Sequence, residues 1–119
     1  MLTVKFNILN KEWKLKLLKN KKHKKKNGDD NVAITKYWKR EISISIGGAD
    51  LETIVHELVH AYRAEMCTGS MTEMSADDME ENCCEVFAKR GRELLDLADI
   101  LFTQVEAKIK ANIIYVQEK

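Results

Sequence analysis

The apolar residues of this chain change their spacing at Gly47-Gly48, and that change sets the order of its secondary structure. Before the glycines the spacing is two. Val4-Lys5-Phe6-Asn7-Ile8, Trp13-Lys14-Leu15-Lys16-Leu17 and Glu41-Ile42-Ser43-Ile44-Ser45-Ile46 each place every second residue in the apolar class, as a strand with one covered face requires. Asn10-Lys11 suits a hairpin turn between the first two, and Val32 to Tyr37 begins a further extended segment. After the glycines, Leu51, Ile54, Val55, Leu58, Val59 and Tyr62 recur at spacings of three and four, the signature of an amphipathic helix. Asp50 is its N-cap, and it ends near Met66. Thr68 to Met74 reads as a loop. Ser75, with Asp78 three residues on, or Asp77, caps a second helix. Leu94, Ala98, Leu101 and Val105 carry that helix onward, with Leu95, Phe102 and Ile109 beside them. Gly91 inside it allows a kink or a close contact, and Ile113 to Val116 either ends the helix or adds a strand.

The expected fold class is α+β. A short antiparallel sheet of about three strands (residues 1–48, with a basic loop at 19–31) precedes a helix over 50–66 and a long C-terminal helix over 76–112. Antiparallel pairing is expected because the links between strands are too short for crossover helices. At 119 residues and 13.7 kDa, one core and one domain over 1–119 suit the length. No apolar run approaches the roughly 20 residues a bilayer needs, and the first residues lack a secretory pattern. Three cysteines, Cys67, Cys83 and Cys84, make an odd count that argues against a disulfide-stapled secreted domain. A cytoplasmic location, without a membrane partner, is the expectation.

Formal net charge is only +1, yet residues 1–40 carry 13 Lys/Arg against 3 Asp/Glu and the remainder carries 7 against 16. The basic part contains Lys21, Lys22, Lys24, Lys25 and Lys26 around His23. A solvated loop explains such a run, since like charges repel and stay extended. A footprint for nucleic acid or another polyanion is the functional alternative; no aromatic residue interrupts the run to stack on bases.

His56-Glu57-Leu58-Val59-His60 carries the chemistry. Residues four apart share a helix face, so both imidazoles can address one ion, and imidazole nitrogen suits Zn²⁺. Glu57 is turned away from the ion but close enough to take a proton from water. By average residue usage the five-residue pattern arises in well under ~1% of chains this long. A third protein ligand is then needed. His23 lies in the basic loop, and no His follows His60, so a carboxylate must serve. Glu80, Glu81 and Glu85 stand on the second helix. Glu81 and Glu85 share a face with Cys84 and Ala88, small groups that suit a helix pressed against another, where a carboxylate needs a cation. Glu81 is the favoured ligand, Glu80 its competitor, and Glu85 hydrogen-bonds the far nitrogen of a ligand histidine. An acidic first turn is the plain alternative for these residues. Cys83 and Cys84 are expected to be buried small apolar groups.

This arrangement resembles the gluzincin metallopeptidases, which carry H-E-x-x-H and then E-x-x-x-D on a later helix; here Glu85 stands where Asp is common. Twenty residues separate His60 from Glu81, similar to the family's separation. More narrowly, Ile42-Ser-Ile-Ser-Ile46, Ile54-Val-His-Glu-Leu-Val-His-Ala-Tyr62 and Glu80-Glu-Asn-Cys-Cys-Glu-Val-Phe87 through Arg92-Glu-Leu-Leu-Asp-Leu-Ala98 resemble small metallopeptidases encoded by phages and prophages of Gram-positive bacteria. The resemblance covers about half the chain and implies a minimal zincin core, bound Zn²⁺ and hydrolysis of a peptide or protein substrate. Glu57 would be the general base. The substrate would lie along a strand edge, with Ile42–Ile46 a neighbour; Tyr37, Tyr62, Arg63 and Tyr115 are the candidates for holding the oxyanion, Tyr62 being better suited to the core. Alternative functions are a non-catalytic zinc-binding interaction module, a nucleic-acid-associated peptidase like the SprT-like zincins, and a repressor-cleaving prophage peptidase.

Overall fold

Alternation in the first 18 residues produces a hairpin. A computed structural model describes residues 2–19, 23–24, 30–31, 33–67 and 75–117, with side chains for all of these except 23–24, 30–31 and 112–117. β1 (Leu2–Ile8) and β2 (Lys11–Leu18) pair antiparallel from Leu2↔Leu17 to Ile8↔Lys11. The turn is Leu9-Asn10, one residue earlier than the sequence suggests. Both residues have positive φ, 49° and 67°, as a two-residue turn matched to the strand twist requires. Within the basic segment, β3 (His23–Lys24) pairs antiparallel with β4 (Asp30–Asn31); Lys21, Lys22, Lys25, Lys26 and the Lys24 side chain lie outside the described residues.

The chain returns through β5 (Ala33–Lys36), a 3₁₀ turn at Tyr37–Lys39 and β6 (Glu41–Ser45). The sheet order is β1-β2-β6-β5, so β6 enters between β2 and β5. It pairs antiparallel with β5 and parallel with β2, from Lys14↔Glu41 to Leu18↔Ser45. The main sheet therefore has four strands and is mixed, not three antiparallel strands. No crossover helix is needed, because β5 carries the chain back before β6 starts.

Pleating puts Val4, Phe6, Ile8, Trp13, Leu15, Leu17, Ala33, Ile42 and Ile44 on the covered face. Lys5, Lys14, Lys16, Glu12 and Glu41 take the other. There Lys16 Nζ lies 2.6 Å from Glu41 Oε1, and Lys36 Nζ 4.0 Å from Oε2. The hydrogen bond from Lys16 holds the Glu41 carboxyl below its ordinary value, against the opposing effect of partial burial.

α1 (Leu51–Met66) starts where Asp50 Oδ1 accepts the Thr53 N–H at 2.8 Å. α2 (Ala76–Gln117) starts where Ser75 Oγ accepts the Asp78 N–H at 3.1 Å. It runs without interruption through Gly91 and past residue 112, so Ile113 to Val116 continue the helix. Ile54, Leu58, Ala61 and Tyr62 of α1, with Val86, Leu94, Ala98, Leu101 and Val105 of α2, close the core over the sheet. Glu65 ties α1 to the sheet end, accepting from Trp13 Nε1 at 3.0 Å and Arg40 Nε at 2.6 Å. Among the described residues, no helix is long and apolar enough to cross a membrane.

Candidate metal centre

Each residue of an α-helix turns about 100°, and this fixes what α1 presents. Ile54, Leu58 and Ala61 face the core. His56 and His60 lie about 40° apart on the opposite side. Both are exposed, with ring centroids 5.0 Å apart and planes at 70°. Arg63 follows on the same side, one turn beyond His60.

Glu57 sits about 100° round the helix from His56, toward β5, and is only 6% exposed. Thr35, pointing inward from β5, donates its hydroxyl to Glu57 Oε1 at 2.8 Å. The same Thr35 oxygen lies 3.2 Å from the Glu57 carbonyl. The second carboxylate oxygen, Oε2, is 3.7 Å from His56 Nε2. One oxygen is thus anchored to the sheet and the other turned to the histidines. One ligand atom from each of His56, Glu57 and His60 lies within 4.8 Å of the others.

Partial desolvation lowers the pKa of His60. The negative charge of Glu57 opposes the shift; His56 and Arg63 reinforce it. The ring is therefore held in the neutral form that binds metal. Two imidazoles on one accessible face, with a carboxylate in reach, form a nitrogen–oxygen donor set that suits Zn²⁺.

The second flank is α2. Arg63, 9% exposed, donates from Nε to Asn82 Oδ1 at 2.9 Å, while its Nη2 has no partner. This bond brings the α2 turn holding Glu80 and Glu81 against the histidine-bearing side of α1. The three glutamates themselves are exposed, and no group of potential metal-binding side chains among the described residues joins any of them to His56 and His60. Glu85 Oε2 instead receives Lys89 Nζ at 2.8 Å. The expectation that Glu81, Cys84, Glu85 and Ala88 form a covered face is corrected: all four are exposed, and Cys83 is half-buried. Asn82, Val86 and Leu94 take the covered side, which turns the neighbouring glutamates outward.

One further expectation changes. Strand β6, containing Ile42 and Ile44, is paired on both sides and offers no edge; β5, paired only with β6 among the described residues, takes that position. Tyr62 packs in the core, as its apolar spacing suggests, and donates its hydroxyl to Glu93 Oε2 at 2.6 Å, away from the histidines. Burial, then that bond, raises its pKa. The side chain of Tyr115 lies outside the described residues.

Sequence reasoning missed Thr35 and Asn82. A polar residue in phase with the covered positions is the available signal: Thr35 alternates with Ala33, and Asn82 stands four residues before Val86. Comparison of the chain with family models, curated proteins and solved structures gives no match.

Proposed function

We propose that this chain is a zinc-dependent metallopeptidase with a minimal zincin-like core, phage- or prophage-encoded and acting in the host cytoplasm. The observation that carries the reading is the convergence of His56, Glu57 and His60, with Glu57 buried and anchored by Thr35. His56 and His60 would hold the zinc, with Glu81 the proposed third ligand, Glu80 its alternate and Glu85 an orienting group. Support for Glu81 is its position next to Asn82, which is bonded to Arg63. When bound, zinc supplies a Lewis acid for the scissile carbonyl and makes water more acidic. Glu57 takes a proton from the attacking water and delivers it to the leaving amine. The anchored Oε1 prevents the carboxylate from swinging away, leaving Oε2 for that transfer. The edge of β5 that is unpaired among the described residues binds the peptide backbone as an added strand, on the flank of α1 where Glu57 is held.

The test is Glu57→Gln, with zinc measured by elemental analysis and cleavage by mass spectrometry of a mixed peptide library. Stoichiometric zinc with cleavage abolished is expected. Cleavage at the wild-type rate would overturn the mechanism.

A further inference from the structure

Arg63 is a buried cation without a counter-ion. Its side chain is 9% exposed, its Nε donates to Asn82 Oδ1 at 2.9 Å, and its Nη2 is enclosed with no hydrogen-bond partner. Asn82 is neutral, and among the described residues the guanidinium forms no ion pair. A charge taken out of water without an opposite charge is costly, and an enclosed donor without an acceptor is rare enough to call for one.

Helix geometry places this donor. Arg63 lies about 20° round α1 from His56, on the side away from Glu57, and one turn beyond His60. Its charge also acts on the His60 ring. On α2, Val86 and Cys83 lie about 40° and 100° round from Asn82 in one direction, and they are buried and half-buried. Asp78, Glu85 and Glu81 lie about 40°, 60° and 100° round in the other direction, and all three are exposed. Asn82 is therefore a boundary. The strip beyond it carries three carboxylates along the edge of α1 that Arg63 shares with the histidines. Asp78 has the shortest side chain of the three, and Glu85 is bonded to Lys89. Glu81 is unpaired among the described residues.

We propose that Arg63 is a positioning residue for the metal centre: its Nη2 holds one oxygen of the Glu81 carboxylate and leaves the other for zinc. The proposal rests on the metal-binding reading of His56 and His60. A carboxylate shared between a metal ion and a guanidinium balances both charges. One movement, a turn of the Glu81 side chain past Asn82, then supplies the enclosed donor with its acceptor and the centre with its third ligand. Asn82 fixes the guanidinium plane by accepting from Nε, so the fork is set before the carboxylate arrives.

The experiment titrates the protein with Co²⁺, whose visible absorption reads the number and kind of its ligands, and with Zn²⁺ in competition. Wild type, Arg63→Met, Glu81→Gln and the double variant are compared. Arg63→Met is expected to weaken metal binding about 10- to 100-fold and to move the Co²⁺ spectrum toward that of Glu81→Gln. The double variant should bind no more weakly than Glu81→Gln, because Arg63 acts only through that carboxylate. Arg63→Lys keeps a charged donor and should recover part of the loss. Should Arg63→Met lose its far-ultraviolet helix signal, Arg63→Lys supplies the same comparison with and without Glu81→Gln. Wild-type affinity and spectrum in the Arg63 variants, or a loss that recurs in full beside Glu81→Gln, would overturn the proposal. Metal held through Arg63 and Glu81 in a protein that cleaves nothing removes the peptidase and keeps the positioning role. Cleavage with metal binding indifferent to Arg63 removes the positioning role and keeps the peptidase. A wild-type protein that takes up neither metal removes both.

Discussion

Thr35→Val replaces one hydroxyl by a methyl group of nearly the same shape, so it isolates the bond that anchors Glu57. The native hydroxyl lies 2.8 Å from Glu57 Oε1, and Glu57 is 6% exposed. Solvent cannot take its place without opening the contact between β5 and α1. Hydrogen bonds to charged groups contribute about 1.5–3 kcal/mol, and a buried acceptor left unpaired costs its desolvation in full. Unfolding entropy near 2.1 cal/mol/K per residue gives about 0.25 kcal/mol/K for a chain of this length. The expected fall in Tm is therefore about 6–12 °C. Thr35→Ser keeps the hydroxyl and should recover at least half of the loss. Thermal unfolding by circular dichroism, with urea titration for the free energy, measures both variants. In the peptidase reading, Thr35→Val also lowers kcat, because the carboxylate is released from its anchor. A Thr35→Val protein as stable as wild type, or one matched by Thr35→Ser, would refute the claim that this hydroxyl holds the base.

Asp50→Ala removes the cap of α1 and should cost about 1 kcal/mol, a fall in Tm of about 4 °C, while Asp50→Asn recovers most of it in the same melt. Glu41 and Asp50 both have lowered carboxyl pKa values in the folded chain. Their contributions are present above the ordinary values of 4.5 and 3.8 and fade as pH falls through the folded ones. Tm should therefore stay level down to about pH 5 and then drop, and Lys16→Met should flatten the Glu41 part of that drop. Tyr62 has the opposite sign: its raised pKa stabilises fully below the ordinary value of 10 and is lost as pH rises beyond it, so Tyr62→Phe should remove part of the alkaline decline. His60→Ala should abolish zinc retention in dialysis against a chelator yet leave the far-ultraviolet spectrum intact, because the core beneath it is apolar. Loss of fold together with metal would instead make the centre structural.

Local chemistry is what the sequence exposed most directly. Asp50 and Ser75 each accept a backbone N–H three residues ahead, and such contacts depend on little else. The pairing of His56 with His60 was legible for the same reason, since helix geometry fixes residues four apart. The position of β6 was hidden, because Ile42-Ser43-Ile44 alternates alike in an edge strand and a central one. Only pairing with both Lys14–Leu18 and Ala33–Lys36 decides it. The phase of α2 was ambiguous for a different reason. Val86 and Phe87, Leu94 and Leu95, and Leu101 and Phe102 offer neighbouring apolar residues on two faces. The structure buries Val86, Leu94 and Leu101 and leaves Phe87 and Leu95 exposed, which sets where Glu81 and Glu85 stand. The Thr35 contact spans 22 residues, and no local pattern encodes it.

Strand β5 shows why the register of the sheet and the geometry of the candidate site are one constraint. Its register pairs Ala33 with Ile44, Thr35 with Ile42 and Lys36 with Glu41, sending Ala33 and Thr35 inward and Lys36 outward. Slipping the strand by one residue would exchange its faces. Ile34 or Lys36 would then meet Glu57 in place of the hydroxyl, and Lys36 would leave Glu41. Ala33 is the small inward residue that lets this edge lie close to α1, and Thr35 is the polar one placed where a buried carboxylate needs a donor. The features that make β5 pair correctly with β6 are therefore the same ones that hold Glu57 beside His56. A variant that loosens β5 register, such as Ala33→Gly with Thr35 intact, should therefore weaken the Glu57 anchor and lower Tm in the same melt that reads Thr35→Val.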